Sequence, residues 1–566
     1  MSTLLAAGRV AATRASDAAP TGRLSRPVSL LQAAVGGLAT QTAFPDLSWW
    51  PTAGLGLAVL VVALHRATVR WAGLVGLIWG LGLFIPHLWW ADQAAGALAW
   101  LALAVVQAAL VGVGTATWAI AARTPWVQRT SWAAALTFTV TWVADEQLRS
   151  TWPFGGFPWA RLAFSQTDGP LLALAWLGGA PLVTAAVALV GFVLARAWLA
   201  PVHRRLWPAL AAAATTSAII ALALSIPLST AAQADTLRLA GVQGNVPDRR
   251  AVVADRSRVV LDNHAAATRT LLHDAAPGSL DVVLWPENAT DIDPRTDAAA
   301  GATVEGAAQA VRAPILLGAD QRLPDGRYVQ MLLWQPGRGT VFAYSKQKVV
   351  PFGEYIPARP LFRLFSSQVD RVGTDAKPGD RPALVPLDVP RLGRVVPLAT
   401  VICFEVAFDD VVRTAVRDGA QLIVVATNNA SFGWTGESTQ QLAMTRLRAV
   451  EHGRAAVQIS TVGVSAVIAP DGTVQQRTGL FTPATFRAEL PLRTSLTPAD
   501  RFGAAPVTAA VALALAAALA GAASREAEST DAWSDAARPD RVRTGSRSGR
   551  RAGHQPSVPA DRRGTR

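Results

Sequence analysis

The chain has 566 residues and a formal net charge of +13, and 51% of its residues are hydrophobic while only 16% are charged. This composition is too apolar for an ordinary soluble protein of this length and is typical of a protein that crosses a membrane. The single cysteine, Cys403, excludes an intramolecular disulfide and a cysteine-rich metal site. Because the seven histidines are also scattered, without ligand spacing, we expect no metal ion and no cofactor.

The positive charge is concentrated at the two ends of the chain. Residues 1–229 carry a net charge of +7, residues 230–503 carry +2 and residues 504–566 carry +4. The large middle region therefore offers no basic face for nucleic-acid phosphates, and we expect no nucleic-acid partner. The excess of arginine lies beside apolar segments, as in membrane proteins.

Seven apolar stretches precede residue 230 and an eighth follows the middle region. They lie at 28–44, 50–65, 72–91, 95–122, 131–147, 170–195, 207–229 and 504–524. A span needs about 20 apolar residues, so the shorter stretches are also compatible with buried helices of a soluble protein. The set as a whole predicts a polytopic α-helical membrane domain with about eight transmembrane helices, seven of them within 28–229.

The distribution of basic residues predicts the orientation. If the N-terminal segment 1–27 is cytoplasmic, eleven basic residues fall in inner segments and only Arg149 and Arg161 in outer ones. The region 230–503 is then outside, and the span 504–524 returns the tail to the cytoplasm. The tail, 525–566, is rich in arginine and serine and is predicted to be disordered, either as a solvated tail or as a site for a partner.

The region 230–503 has the pattern of an α/β domain. Near-continuous apolar runs predict strands at 236–243, 281–287, 313–319, 328–335, 395–404 and 421–428. Helical stretches such as 251–274 and 438–454 alternate with them. Helices therefore cover the sheet on its faces.

Three ionisable residues follow predicted strands in this domain. Glu287 ends "VVLWPE", Lys346 lies in "FAYSKQK" and Cys403 closes "VVPLATVIC". A carboxylate, an ammonium and a thiol are the groups needed for acyl transfer through a thioester. Their spacing alone does not show that they converge, and taken singly Glu287 and Lys346 fit surface charges and Cys403 a small buried hydrophobe.

The order of three motifs nevertheless resembles that of the nitrilase superfamily. "WPEN" ends at Asn288, "KQKVVPFGEYIP" starts at Lys346 and "CFE" starts at Cys403. With the predicted spans, "GGFPWARLAFSQ" (155–166) and "VQGNVP" (242–247), residues 28–524 resemble the membrane-bound bacterial branch of that superfamily, the apolipoprotein N-acyltransferases. The resemblance implies an αββα sandwich on the extracytoplasmic face of a bacterial plasma membrane.

The resemblance also implies roles for individual residues. Cys403 is the nucleophile, its pKa lowered by Lys346, which also stabilises the oxyanion, and Glu287 is the general base. The resemblance gives three residues a supporting role. Glu354 positions the lysine or the acceptor amine, and Glu405 orients the site. Phe404, at a position where many relatives have tyrosine, directs its backbone N–H towards the oxyanion.

The function implied is a ping-pong acyl transfer by a membrane-embedded monomer. A phospholipid is the acyl donor, and the acceptor is the α-amino group of the diacylglyceryl-cysteine at the N-terminus of an apolipoprotein. Two alternatives are a membrane-tethered amidohydrolase of the same superfamily and a transporter with an inactive outer domain. The amidohydrolase differs only in that water resolves the thioester. A transport path would be marked by charged residues in the middle of the membrane, and the predicted spans lack them.

Three further segments carry hypotheses about substrate. Segment 351–367 is either a mobile lid in the membrane interface, with Phe362 and Phe365 as substrate contacts and its arginines near lipid headgroups, or an ordinary packed arm. Phe432 and Trp434 either line an acyl groove or pack in the core. Arg448 and Glu451, three apart on a helix, form an ion pair or contact substrate.

Overall fold

A computed structural model of the protein describes residues 25–247 and 256–536. Residues 1–24 of the predicted N-terminal segment, the first residues of the helix predicted at 251–274 and residues 537–566 of the tail lie outside this description.

The described chain up to residue 224 is almost entirely helical. Its helices are α1 (Arg26–Gln41), α2 (Pro51–Ala63), α3 (Val69–His87), α4 (Trp90–Ala95), α5 (Ala97–Ala121), α6 (Pro125–Arg129), α7 (Ser131–Thr151), α8 (Ala175–Leu199) and α9 (Leu206–Leu224). A helix thus lies in each of the seven predicted apolar stretches.

Five helices of the described residues are long and apolar enough to cross a membrane. They lie at Val69–His87, Ala97–Ala121, Pro170–Leu199, Leu206–Leu224 and Ala505–Arg525. Helices α1 and α2 fall short of the roughly 20 residues that a span requires, and α7 buries Asp145, Glu146 and Arg149 in its last turns. A count of eight spans therefore stays a prediction, and three charges expected at a span end or in an outer loop lie inside a helix.

The membrane helices approach one another closely at glycines. A Cβ atom on Gly37 of α1 would lie 2.0 Å from the carbonyl oxygen of Trp79 in α3, and one on Gly76 of α3 would lie 2.1 Å from Thr115 Oγ1 in α5. Small residues at such crossings allow the backbones to touch, which is how helices associate in lipid.

The described residues after 235 form twelve strands in two sheets. The strands are β1 (Thr236–Gln243), β2 (Val282–Leu284), β3 (Ile315–Leu323), β4 (Gly326–Gln335), β5 (Gly339–Ser345), β6 (Leu384–Val389), β7 (Arg394–Ile402), β8 (Leu422–Thr427), β9 (Ala456–Ser460), β10 (Ala466–Ile468), β11 (Val474–Arg477) and β12 (Ala484–Pro491). Each of the six predicted runs overlaps one of them.

Each sheet has six strands with parallel pairing at its centre. The orders are β12-β1-β2-β3-β4-β5 and β11-β10-β9-β8-β7-β6, with β1, β2 and β3 parallel in the first and β7, β8 and β9 parallel in the second. Parallel strands need helical crossovers and are covered on both faces, which explains their continuous apolar runs.

Four helices cover the outer faces of these sheets. Helices α10 (Arg256–Thr270) and α11 (Ala298–Val311) pack on the first sheet, and α13 (Asp409–Arg417) and α14 (Glu437–His452) pack on the second, while β1 faces β9 across the middle. The predicted αββα sandwich is confirmed. A short helix, α12 (Arg359–Arg363), lies between β5 and β6.

The chain ends with two more described helices, α15 (Pro498–Phe502) and α16 (Ala505–Ala536). The apolar part of α16 ends at Arg525, within one residue of the predicted span end at 524, and the helix itself continues through residues 525–536, for which the sequence pattern predicts disorder. The sequence "REAESTDAWSDA" is rich in alanine and glutamate and contains no glycine or proline, so nothing in it stops the helix.

Candidate active site

Cys403 begins a tight turn at the carboxyl end of β7. It is the first residue of a 3₁₀ turn, Cys403–Ala407, and its φ of +50° is in the left-handed region that a residue with a Cβ seldom adopts. Such a conformation costs about 1–3 kcal/mol and persists only where its surroundings impose it. It turns the chain sharply and leaves the thiol partly accessible beside the strand ends.

Glu287 and Glu354 hold Lys346 between them. Lys346 Nζ donates to Glu287 Oε1 at 3.1 Å and to Glu354 Oε1 at 2.7 Å, and the ammonium is 1% exposed. Glu287 Oε2 accepts the backbone N–H of Asn428 at 2.9 Å, and Glu354 Oε2 accepts that of Val350 at 2.7 Å. The structure therefore brings together two of the three predicted catalytic residues and one supporting carboxylate, with every carboxylate oxygen occupied by a donor.

The pKa directions follow from burial and from these charges. Burial raises the pKa of Glu287, and Glu354 adds to the effect, although Lys346 opposes it. Burial lowers the pKa of Lys346, but Glu287 and Glu354 outweigh it and hold that pKa well above its usual value. The lysine is thus a permanent cation, and Glu287 has the raised proton affinity that suits a general base.

The expected lowering of the Cys403 pKa is wrong. Burial raises the pKa of the thiol and Glu287 raises it further, and the opposing effect of Lys346 is smaller. Because Lys346 shares its charge with two carboxylates, its stabilisation of the thiolate is outweighed by burial and by Glu287. The sulfur is therefore protonated at rest and must lose its proton during the attack.

Glu405 ties the cysteine turn to the lysine segment. Its Oε2 accepts the backbone N–H of Ile402 at 2.7 Å, and its Oε1 accepts the backbone N–H of Gln347 at 2.6 Å. The hydroxyl of Tyr344 donates to the same carboxylate at 2.9 Å. Since Ile402 and Gln347 are adjacent to Cys403 and Lys346, this buried carboxylate fixes the two reactive groups relative to each other.

Phe404 packs against the membrane part of the chain. Its ring stacks on those of Phe157 and Trp159, at centroid distances of 5.8 and 6.2 Å, and meets Phe408 edge-on at 5.0 Å. Phe157 and Trp159 belong to the motif 155–166 between α7 and α8. The residue after Cys403 thus contacts the motif 155–166.

A buried ionic network joins the same loop to the sandwich. Arg161 Nη1 donates to both oxygens of Asp409, at 2.9 and 2.8 Å, and Asp409 Oδ1 also lies 2.8 Å from Arg448 Nη2. The predicted pair of Arg448 and Glu451 is confirmed, and both side chains are fully buried. Arg448 also donates to the carbonyl oxygens of Val406 and Ala407, both at 2.9 Å, so the pair braces the cysteine turn.

The four proposed substrate residues occupy different surroundings. Phe432 is partly buried and meets Trp90 of the membrane part edge-on at 5.1 Å, whereas Trp434 is 74% exposed beside Phe481. Phe362 packs edge-on against Phe352 at 4.8 Å, and Phe365 is 73% exposed.

The two arginines of segment 351–367 already have protein partners. Arg359 pairs with Asp375, and Arg363 Nη2 lies 3.1 Å from Asp370. The expected contact of these arginines with lipid phosphates therefore competes with carboxylates of the same chain.

One group of polar residues beside the sulfur was missed in the sequence. Gln441 Nε2 lies 3.6 Å from Cys403 Sγ, and Asn429 and Glu437 are hydrogen-bonded behind it. A signal existed: "VVATNN" places Thr427, Asn428 and Asn429 at the carboxyl end of the strand that pairs in parallel with β7. Ligands and catalytic groups collect at this end of parallel strands.

The arrangement can perform acyl transfer through a covalent sulfur intermediate. A buried carboxylate of raised pKa and a fixed ammonium are in contact, and both act electrostatically on the Cys403 thiol.

Two family models match the chain. The model described as "Apolipoprotein N-acyltransferase N-terminal domain" matches residues 36–193, and the model described as "Carbon-nitrogen hydrolase" matches residues 238–495. The matched ranges correspond to the helical part and to the sandwich.

Curated relatives match most of the chain. A protein of Mycolicibacterium smegmatis named apolipoprotein N-acyltransferase is 40% identical over 516 residues, which is 87% of this chain and 84% of the relative. Proteins of the same name from Azotobacter vinelandii and Ralstonia nicotianae are each 31% identical, covering 85% and 87% of this chain and 92% and 93% of theirs. A solved amidase of the nitrilase superfamily from Nesterenkonia aligns with 50% of this chain and 99% of its own, at 19% identity and a TM-score of 0.37.

Proposed function

The chain belongs to the apolipoprotein N-acyltransferase family and catalyses the N-acylation of lipoproteins in a bacterial membrane, and we propose that it does so by a ping-pong cycle through a thioester on Cys403. The observation that carries this proposal is the contact of Lys346 Nζ with both Glu287 and Glu354 in a buried site whose charges act on the Cys403 thiol. No group outside Glu287, Lys346 and Cys403 is needed for the covalent steps.

In the first half-reaction the acyl chain moves from a phospholipid to the sulfur. Glu287 takes the proton of the Cys403 thiol as Sγ bonds to the ester carbonyl carbon, and Lys346 with the backbone N–H of Phe404 stabilises the oxyanion. The ester C–O bond then breaks, and the proton passes from Glu287 to the leaving oxygen. A lysophospholipid departs and the thioester remains.

In the second half-reaction the acceptor amine resolves the thioester. The α-amino group of a diacylglyceryl-cysteine attacks the carbonyl carbon and gives a proton to Glu287. The C–S bond breaks, and the sulfur receives that proton as the amide is released. Glu354 and Glu405 keep Lys346 and the cysteine turn in place through both steps, because each binds backbone N–H groups around the site.

Both substrates keep their chains in the bilayer, so the site has to lie at the membrane surface. We place the sandwich on the extracytoplasmic face and both termini in the cytoplasm, on the distribution of basic residues. A monomer suffices, because all of the groups named come from one chain. Segment 351–367 is the proposed lid, and Phe432, Trp434, Phe362 and Phe365 are the proposed acyl-chain contacts.

The direct test is the intact mass of the purified protein after incubation with phospholipid in detergent. Wild type should gain the mass of one acyl chain, Cys403→Ala should gain none, and a diacylated lipopeptide should discharge the adduct. Lys348→Met serves as a control substitution and should gain the acyl mass as wild type does, because Lys348 is a partly exposed neighbour of Lys346 that pairs with Asp410. Absence of the adduct in folded wild-type protein would contradict the thioester.

The membrane-tethered amidohydrolase is not favoured by the relatives, which are named as acyltransferases along the length of the chain. The same experiment separates the two activities. Rapid discharge of the acyl adduct by water in the absence of an amine would point to hydrolysis.

A further inference from the structure

A row of buried polar side chains, carried by α14 and by the carboxyl end of β8, reaches the sulfur of Cys403. Gln441 Nε2 lies 3.6 Å from Cys403 Sγ, within the range of a hydrogen bond to sulfur, and Gln441 is fully buried. Gln441 is one turn into α14, on a different element from Glu287 and Lys346.

The hydrogen bonds behind Gln441 decide which end of its amide faces the sulfur. Thr427 Oγ1 donates to Gln441 Oε1 at 2.8 Å, and Asn429 Nδ2 donates to the same oxygen at 3.0 Å. Because an oxygen that accepts two donors is the carbonyl oxygen, the NH₂ group is the end left to face Cys403.

The amide of Asn429 is fixed in turn. Ser460 Oγ donates to Asn429 Oδ1 at 2.6 Å, and Ser460 Oγ itself accepts the backbone N–H of Gly463 at 2.8 Å. Asn429 Nδ2 also donates to Glu437 Oε2 at 2.6 Å. The bonds run in one direction from the backbone of Gly463 to the NH₂ group of Gln441, so this group cannot rotate without breaking several of them.

We propose that Gln441, oriented by Asn429 and Thr427, is an additional catalytic residue that donates a hydrogen bond to the Cys403 sulfur and stabilises its thiolate form. This assignment rests on the proposed thioester cycle, in which the sulfur is the nucleophile in the first half-reaction and the leaving group in the second. In both it carries negative charge while Glu287 holds the proton.

Glu287 and Lys346 do not by themselves explain what stabilises the sulfur of Cys403 as a thiolate. Burial raises the pKa of the Cys403 thiol and the carboxylates of Glu287 and Glu437 raise it further, while Lys346 and the hydroxyl of Thr427 lower it by less. Lys346 is also shared between two carboxylates. A neutral donor on the opposite element lowers the energy of the thiolate without adding a charge that would hold Glu287 in its ionised form. The hydrogen bond strengthens as the sulfur becomes negative, so it favours the transition state over the resting thiol.

The single cysteine allows this proposal to be tested without the acyl-transfer reaction. The pH dependence of Cys403 alkylation by iodoacetamide, followed by intact mass, reports the thiol pKa alone. Gln441→Leu should react roughly tenfold more slowly than wild type at a fixed pH, because a hydrogen bond to a charged group is lost. Gln441→Glu should be slower still, because its carboxylate cannot donate to the sulfur and also places a negative charge beside the thiolate.

Gln243→Leu is the matched control. Gln243 is fully buried on β1 and makes four hydrogen bonds, to Gly479, Thr482, Ser465 and Thr478, with none to the sulfur. It should lower the Tm but leave the alkylation profile in place. An equal shift in Gln243→Leu, or an unshifted profile in Gln441→Leu, would overturn the proposal.

Gly463→Ala gives a second route if Gln441→Leu does not fold. A Cβ atom there would lie 2.1 Å from Asn429 Oδ1, so it displaces Asn429 while Gln441 stays intact. The alkylation rate should fall in this variant, and an unchanged rate would contradict the role given to Asn429. Since alkylation needs no phospholipid, failure of this proposal is distinguishable from failure of the thioester cycle.

Discussion

Lys346 Nζ lies 3.1 Å from Glu287 Oε1, although the two residues are 59 positions apart in the sequence. The lysine also binds Glu354, and its ammonium is buried. Burial lowers the pKa of this lysine, but the two carboxylates outweigh burial and hold that pKa well above its usual value, so the lysine is charged at neutral pH. This contact therefore supplies a fixed positive charge beside the thiol without making the thiol a resting thiolate.

Lys346→Met should slow formation of the acyl adduct by roughly 10²–10³-fold, since the loss of one oxyanion donor has an effect of that size. The measurement is the time course of adduct mass with phospholipid in detergent. Lys348→Met should form the adduct at close to the wild-type rate, because Lys348 faces Asp410 at the surface. An equal loss of adduct formation in both variants would mean that Lys346 acts only through the overall positive charge near the site and not as a specific oxyanion donor.

Glu405→Gln should disturb the cysteine turn more than Tyr344→Phe does. The amide has one accepting oxygen where the carboxylate receives the backbone N–H groups of Ile402 and Gln347 and the hydroxyl of Tyr344. Each lost bond to a charged acceptor costs about 1.5–3 kcal/mol, whereas Tyr344→Phe removes one donor and leaves the backbone bonds. Thermal unfolding in detergent, read with the rate of adduct formation, compares the two. Tyr344→Phe causing the larger loss would contradict this ordering.

Asp409→Asn should destabilise the contact between the helical part and the sandwich. Arg161 and Arg448 both bind this carboxylate and are almost fully buried. Arg161 keeps Glu146 at 3.6 Å and Arg448 keeps Glu451, but each loses a hydrogen bond to a charged group, which costs about 1.5–3 kcal/mol. A large fall in Tm is expected. Asp410→Asn is the control at the neighbouring residue. Its carboxylate is 63% exposed, so the free energy of unfolding should change by less than about 1 kcal/mol.

The carboxylate of Asp409 should also make the stability of the fold depend on pH. Burial opposes its ionisation, but Arg161, Arg448 and Arg413 outweigh that effect and hold the pKa of Asp409 far below its ordinary value. A depressed carboxyl pKa stabilises the fold above the unfolded-state pKa of about 3.9, and that stability is lost as the pH falls below it. The Tm difference between wild type and Asp409→Asn should therefore shrink on acidification below pH 4.

Glu437→Gln should remove a pH dependence of the opposite sign. Burial raises the pKa of Glu437 to about 8, and Glu287 adds to the effect, while the bond from Asn429 opposes it. A raised carboxyl pKa gives stability that is full below the unfolded value of about 4.3 and is lost as the pH rises towards 8. The Tm of Glu437→Gln should match wild type near pH 4 and exceed it at pH 8. Parallel curves across this range would contradict the assignment.

The exposed part of segment 351–367 should matter only for donors embedded in a membrane. Leu364 is 80% exposed and Phe365 is 73% exposed, whereas Phe362 packs against Phe352. Phe365→Asp with Leu364→Asp should lower turnover of phospholipid in vesicles by at least roughly tenfold, since burying each apolar side chain contributes about 1.5–3 kcal/mol. Turnover of a short-chain soluble ester should be unchanged. Val395→Asp, at a 52% exposed residue of β7 outside this segment, is the control.

Local pattern was enough to predict much of the fold. The strand β1 was predicted at 236–243 and spans those residues, and the runs that became β7 and β8 were predicted to within two residues, because buried parallel strands are continuously apolar. The helix α16 extends beyond the predicted span at 504–524, because residues 525–536 contain no glycine or proline to end it, although their polar composition is typical of a solvated tail.

The sequence by itself determined the order of Glu287, Lys346 and Cys403 along the chain, their positions at strand ends and the apolar helices around them, because these depend on neighbouring residues only. The tertiary structure decided the direction of the Cys403 pKa, the pairing of Arg161 with Asp409 and the approach of Gln441 to the sulfur. Each of these depends on burial or on contacts between residues far apart in the sequence, up to 248 positions for Arg161 and Asp409. Those distances are set only when the two sheets and the membrane helices pack together.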